Sequence, residues 1–270
     1  MLNWPLDILG GFRDDAYAFT HLVMYCTDFG FRSAILPRPR TVVMQEAASL
    51  LAKYLDAEDY DLAGEVIMAW PLTGAPWIPA AVFGFRVLAR VEDHAGVLPG
   101  VTTRPERLHQ LEGRDKTRYA LGTAYHTAYV MGFLCAASLR EGRAPPARIA
   151  GPRFDQGFVD HLLNTLDRDQ GHWQPELQAL SEAERNALCP LLLDLALVQT
   201  CRKHDYAAVS ELLTRAHQHG LSRSPLCGQS AELLERLTAY ASAARFTMRD
   251  QINADLGTPP GLDAHDAGSA

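Results

Sequence analysis

Apolar residues recur at three- and four-residue spacing along almost the whole of this 270-residue chain, and that period is the signature of amphipathic helices. The breaks between periodic segments are short and rich in Gly and Pro: Pro37-Arg38-Pro39, Pro71-Leu72-Thr73-Gly74, Gly96-Val97-Leu98-Pro99-Gly100 and Pro145-Pro146. No run of alternating β-branched residues and no hairpin signal interrupts the pattern. The spacing predicts helices over 14–29, 40–55, 59–69, 77–91, 117–140, 154–167, 174–179, 182–203, 205–219 and 228–253. Short connections fold successive helices back on one another. The expected fold is therefore all-α, an array of helical hairpins forming an α/α toroid or a compact α-solenoid. It occupies residues 1–256 as one domain, and the Gly-, Pro- and Asp-rich tail 257–270 is expected to be disordered.

The segment from Asp14 to Gly30 carries the strongest hint of a site. Asp14 or Asp15 suits an N-cap, and Gly30 suits the stop. On one helical face fall Asp14, Tyr17, His21, Tyr25 and Asp28, while Phe19, Leu22, Val23 and Cys26 cover much of the rest. A helix so apolar is expected to be buried, with its polar stripe turned to polar partners or a wet cavity. Asp28 sits at the unfavourable, negative end of the helix dipole. Its position reads either as an Asp-Phe-Gly turn or as a ligand or proton-transfer group.

Two further segments add titratable groups to apolar surroundings. In Asp59-Tyr60-Asp61-Leu62-Ala63-Gly64-Glu65, Asp61 and Glu65 share a face at i,i+4, and Asp59 or Asp61 can cap the helix. Glu65 lies among Leu62, Val66, Ile67 and Trp70, where burial raises a carboxyl pKa unless a partner holds it. In the helix 117–140, Tyr119, Thr123, His126 and Tyr129 follow helical spacing, with Tyr125 beside them. Gly122 and Gly132 there read as close helix contacts or places of ligand approach.

Composition narrows the function. A net charge of −7 argues against nucleic-acid binding. The longest apolar helix carries Tyr125, His126 and Tyr129 and is too polar for a membrane span. Five cysteines without C-x-x-C spacing suit reduced thiols in a cytosolic protein. There is no Gly-x-Ser-x-Gly, no phosphate-binding Gly-rich loop and no His-Glu-x-x-His. A metal site would have to be assembled from His21, Asp28, Glu65 and His126 on separate helices, so no metal or other cofactor is expected.

The turn Asp167-Arg168-Asp169-Gln170-Gly171-His172-Trp173 resembles the Asp/Gln-Gly-Trp turns of α/α-toroid enzymes, the terpene cyclases and related lyases. The block Glu58-Asp59-Tyr60-Asp61 departs from the acidic motif of proton-initiated cyclases, and no magnesium-binding D-D-x-x-D follows it. Over most of its length the chain resembles an uncharacterised bacterial family common in actinobacteria. The resemblance rests on the T-H-x-x-x-Y-x-T-D-F-G run from Thr20 to Gly30, on Asp59–Glu65 and on Tyr125–Gly132. It implies a setting in specialised metabolism and supplies no catalytic residues.

The expected function is a cytoplasmic, metal-independent enzyme of the lyase, isomerase or cyclase type. His21, Asp28, Glu65 and His126 would transfer protons in a cavity where three helices converge. Tyr17, Tyr25, Asp61, Tyr125 and Tyr129 would hold a small-molecule or peptide substrate. The alternative is a non-catalytic helical scaffold that presents a groove to a peptide or partner enzyme. The helices beyond about residue 182 are read as outer helices or a homodimer surface.

Overall fold

The structure is a computed structural model that describes residues 2–33, 35–167 and 171–256, with side chains through Ala244. Among the described residues every regular element is a helix. The chain divides into two compact units, residues 1–230 and 231–270. The tail 257–270, expected to be disordered, lies outside the described residues, as do positions 168–170 of the turn before Trp173.

The first unit is organised around two deeply buried helices. Its leading half holds α1 (Arg13–Cys26), α2 (Arg40–Asp56), α3 (Tyr60–Ile67), α4 (Ala69–Thr73), α5 (Pro79–Ala95), α6 (Pro105–Gln110) and α7 (Gly113–Ser138). All eight residues of α3 are buried. Helices α1, α2, α4, α5 and α7 pack against it. The trailing half holds α8 (Gln156–Thr165), α9 (Gln174–Ala179), α10 (Glu182–Ala187), α11 (Cys189–Arg202) and α12 (Tyr206–Gln218). There α11 is the central element, with α2, α8, α10 and α12 around it. Helix α2 packs on both α3 and α11 and so joins the halves. The last helix, α13, runs Pro225–Leu256. Within the second unit it is helical as far as Leu256, and its side chains through Ala244 are mostly exposed.

Proline chemistry explains where the expected helices differ from the observed ones. The segment 59–69 becomes α3 and α4, and 182–203 becomes α10 and α11. Pro71 has no N–H to give the carbonyl four residues back, and neither has Pro190. Pro105 opens α6, a helix the apolar period does not announce, from the N1 position that suits its fixed φ. Of the segment beyond 182, α11 is not an outer helix, because it is buried from Leu191 through Thr200, whereas α12 buries only Val209, Leu212 and Ala216. No helix of the described residues is long and apolar enough to cross a membrane.

One glycine sets a distance that the site depends on. A Cβ at Gly64 would stand 2.7 Å from Val130 Cγ1. The bare backbone of α3 therefore lets α7 approach closely. Gly122 and Gly132 do not serve this purpose, since a Cβ at either would meet nothing within 4 Å.

Candidate functional site

Helix α3 presents two carboxylates from one face. Asp59 caps it, accepting from the Leu62 N–H at 3.3 Å, and Asp61 and Glu65 follow one turn apart. Both are almost wholly buried. An ionised carboxylate taken out of water is costly unless paired, so their partners decide what they do.

Each carboxylate is held on one oxygen by a hydroxyl of α1 and faces a histidine with the other. Asp61 Oδ2 accepts from the Tyr17 hydroxyl. Its Oδ1 accepts from His126 Nδ1 of α7 at 2.7 Å. Glu65 Oε2 accepts from Thr20 Oγ1 at 2.5 Å. Its Oε1 lies 3.6 Å from His21 Nε2, an ion-pair separation beyond hydrogen-bond length. The Thr20 hydroxyl also lies 3.0 Å from the Tyr17 carbonyl. It has one proton, and the charge-assisted bond to the carboxylate is the stronger use of it.

Arg13 adds a cation at the rim. Its guanidinium forms a bidentate pair with Asp59, 2.5 Å from Nε to Oδ2 and 3.0 Å from Nη2 to Oδ1. It stands 3.8 Å from Asp61 Oδ2 and lies over the Tyr17 ring. The planar fork suits such a carboxylate. Commitment to Asp59 leaves Asp61 only a distant share of the charge.

Burial pushes the Glu65 carboxyl above the usual carboxylate range, and the nearby Asp61 adds to the rise. The Thr20 bond and the two histidines work in the opposite direction. Tyr17 is also pushed up, first by burial and then by its bond to Asp61. It stays a phenol and therefore a donor at neutral pH.

The buried carboxylates end in half-exposed rings: the side chains of His21 and His126 keep 45% and 51% of their exposure. Around them runs an exposed aromatic row. Tyr17, His21, Tyr25 and Phe29 follow one another at ring-centre distances of 5.8, 6.2 and 6.0 Å. Phe29 meets Phe133 of α7 at 6.2 Å, and Phe133 meets Tyr129 at 6.3 Å. The cluster thus opens on a surface between α1 and α7, where a central cavity was expected. A cleft of about 510 Å³ lies elsewhere, lined by residues such as Asp160, Trp173 and Arg185.

Three of the four expected proton-transfer residues come together: His21, Glu65 and His126. Asp28 does not join them. Helix α1 ends at Cys26, so the helical face drawn through Asp28 stops before reaching it. Asp28 and Phe29 take left-handed φ values of 47° and 53° ahead of Gly30 at 81°. Asp28 pairs in solvent with Arg32 at 3.3 Å. Among the expected ligand-holding residues, Tyr17 and Asp61 lie within the cluster. Tyr25 touches the His21 ring, and Tyr125 touches the His126 ring at 6.3 Å. Tyr129 stands one turn beyond His126 and is exposed.

Sequence reading missed Arg13, Thr20 and Gly64. The N-cap of α1 is Phe12, whose N–H donates to the Asp15 carboxylate at 2.9 Å. Arg13 therefore falls inside the helix, one turn ahead of Tyr17, and not before it. Thr20 sits directly before His21 in an apolar run, which was the available signal.

No curated protein and no solved structure matches the chain. Residues 1–136, half of the chain and the part that contains the whole cluster, match the family described as Domain of unknown function (DUF6895), and the chain belongs to that family.

Proposed function

We propose that this chain is an enzyme in which the α3 carboxylates and the α1 and α7 histidines move protons on a small-molecule or peptide substrate. The observation that carries the reading is the paired geometry: a buried carboxylate, fixed by a hydroxyl on one side, faces a solvent-reaching histidine on the other, hydrogen-bonded in Asp61–His126 and at ion-pair distance in Glu65–His21. A carboxylate that fixes the tautomer and tilt of an imidazole is a recurring device of acid–base catalysis. Two such pairs, one turn apart, supply an acid and a base to opposite ends of one ligand. Cyclisation, isomerisation or elimination fits such a set. The aromatic row from Tyr25 to Tyr129 offers the apolar surface on which the substrate rests. We place the enzyme in the cytoplasm of a bacterial specialised pathway, on helical hairpins closed as a toroid or kept as a compact solenoid.

One observation favours a second reading. The cluster lies on an open aromatic surface, which also suits a non-catalytic scaffold for a peptide or partner enzyme. Incubation with an extract of the cells that encode the protein separates the two. Liquid chromatography with mass detection should find a species converted by the wild type and untouched by Glu65→Gln. Equal conversion by both, or a species bound and never converted, would sink the catalytic reading.

A further inference from the structure

Three of the groups that converge at α3 also form a donor set. One ligand atom each of Asp61, Glu65 and His126 lie within 4.8 Å of one another. His21 Nε2, 3.6 Å from Glu65 Oε1, stands beside this set and outside it. We infer that Asp61, Glu65 and His126 bind one divalent first-row transition ion such as zinc. The inference rests on the reading of this cluster as the functional site and names the ligand it takes; the ion and the proton compete for the same atoms, so the proton-transfer role of these residues belongs to the metal-free protein.

Charge is the first argument. Asp59, Asp61 and Glu65 meet one arginine, and Arg13 is engaged bidentately by Asp59. Asp61 and Glu65 are left, in a buried place, with hydroxyl and imidazole partners. A divalent ion matches a pair of carboxylates. A second lysine or arginine would do so too, but the ion pairs of the described residues bring Arg13 and His126 to Asp61 and His21 to Glu65, and no further lysine or arginine to either.

Orientation is the second argument. Ligating carboxylates are themselves hydrogen-bonded, and these outer bonds aim the free oxygen at the ion. Here Tyr17 holds Asp61 Oδ2 and Thr20 holds Glu65 Oε2. The oxygens left over, Oδ1 and Oε1, are the ones facing His126 and His21. Ligands at about 2.1 Å from a tetrahedral ion stand about 3.4 Å apart. Asp61 Oδ1 and His126 Nδ1, now 2.7 Å apart, would part by about 0.7 Å as the ion replaces the proton between them. The histidines are half exposed and free to make such an adjustment. Imidazole beside carboxylate selects zinc, iron or manganese over magnesium and calcium, which prefer oxygen alone.

The expectation of no metal site came from spacing within single helices. These donors come from two helices, so no local motif announces them.

Calorimetry with zinc, after stripping by chelator, tests the inference. One equivalent should bind per chain. His126→Ala and Glu65→Gln should each weaken binding at least tenfold. His94→Ala controls for the exposed His94–His109 ring pair and should change nothing. Nitrogen NMR of the wild type supplies a readout independent of any variant: zinc should shift His126 Nδ1. Absence of stoichiometric binding, binding insensitive to His126 and Glu65, or an unmoved His126 Nδ1 would overturn the inference. Substrate conversion is read in a separate assay, so a failure here leaves the proton-transfer reading to stand or fall by itself.

Discussion

Two buried carboxylate sites in the first unit use the same hydroxyl chemistry and arrive at different ends. On α11, Asp194 is buried and accepts from Ser49 at 2.7 Å and Ser224 at 2.5 Å. Both partners are small, Ser49 buried and Ser224 half-buried, and no ring leads from the set to the surface. On α3, Asp61 and Glu65 each have one hydroxyl, and the second partner is a half-exposed histidine. The Asp194 site ties α11 to α2 and to the residue just before α13. The α3 site leads from the core to an open surface. A buried carboxylate satisfied by two serines of neighbouring segments holds the fold, whereas one satisfied through a solvent-facing ring is placed for a ligand. The family match covers the α3 site and ends well before Asp194.

The largest expected effect separates the two sites directly. His126→Asn and Glu65→Gln should lower substrate conversion by about a hundredfold or more, the usual scale for a lost acid–base group. Both should keep the melting temperature within a few degrees. Asp194→Asn should leave conversion within about twofold. If Asp194→Asn lowers conversion as much as Glu65→Gln does, the distinction between the sites collapses.

Next comes the pH dependence of stability. Burial pushes the Asp194 carboxyl up to about 6 from an ordinary 3.8, against the pull of its two serines. The raised value means that the folded state holds the proton more tightly than the unfolded one. Its contribution is fully present below pH 3.8 and is lost as pH rises through 6. One pKa unit is about 1.4 kcal/mol, so the loss is of order 2–3 kcal/mol. Denaturant unfolding at pH 4 and pH 7.5 should show wild type losing that much relative to Asp194→Asn. Parallel stability curves for the two proteins would show that Asp194 does not titrate in this range.

A third effect probes how the α3 site is assembled. Gly64→Ala places a methyl 2.7 Å from Val130 Cγ1, and β-branched Val130 has little freedom to turn away. Overpacking of this kind costs about 1–3 kcal/mol. It should also lengthen the His126–Asp61 contact, since His126 lies one turn before Val130. Adding Val130→Ala should restore both stability and the His126 imidazole shift. A double variant no better than Gly64→Ala alone would mean that α3 and α7 are held apart by something else.

The legible parts of this chain were those written within a single helix. The i,i+4 placement of Asp61 and Glu65, the capping role of Asp59 and the row from Tyr17 to Tyr25 follow from period alone. The apolar neighbours of Glu65 marked it as buried. Pairing across helices was not legible, because nothing in sequence says which hydroxyl of α1 meets which oxygen of α3. Gly64 stayed hidden because one glycine in an Ala-Gly-Glu run looks the same whether or not a helix leans on it. The helix end misled in a different way. A stripe projected two residues past Cys26 put Asp28 on a face that no longer exists.

That error yields the smallest expected effect. Asp28 occupies the left-handed region, where Asn is as well tolerated as Asp. Its ion pair with Arg32 is largely exposed, and such pairs contribute little once salt and side-chain entropy are counted. Asp28→Asn should change stability by less than about 0.5 kcal/mol and leave substrate conversion and zinc affinity unchanged. Asp28→Val should be the less stable variant, because a β-branched residue is strained at positive φ. The turn aims Phe29 at Phe133, so a Val-induced shift would also disturb the aromatic row. If Asp28→Asn alone abolished conversion, the carboxylate would have to reach the site by a movement of the whole Thr27–Gly30 turn. The cluster on α3 would then be only part of the site.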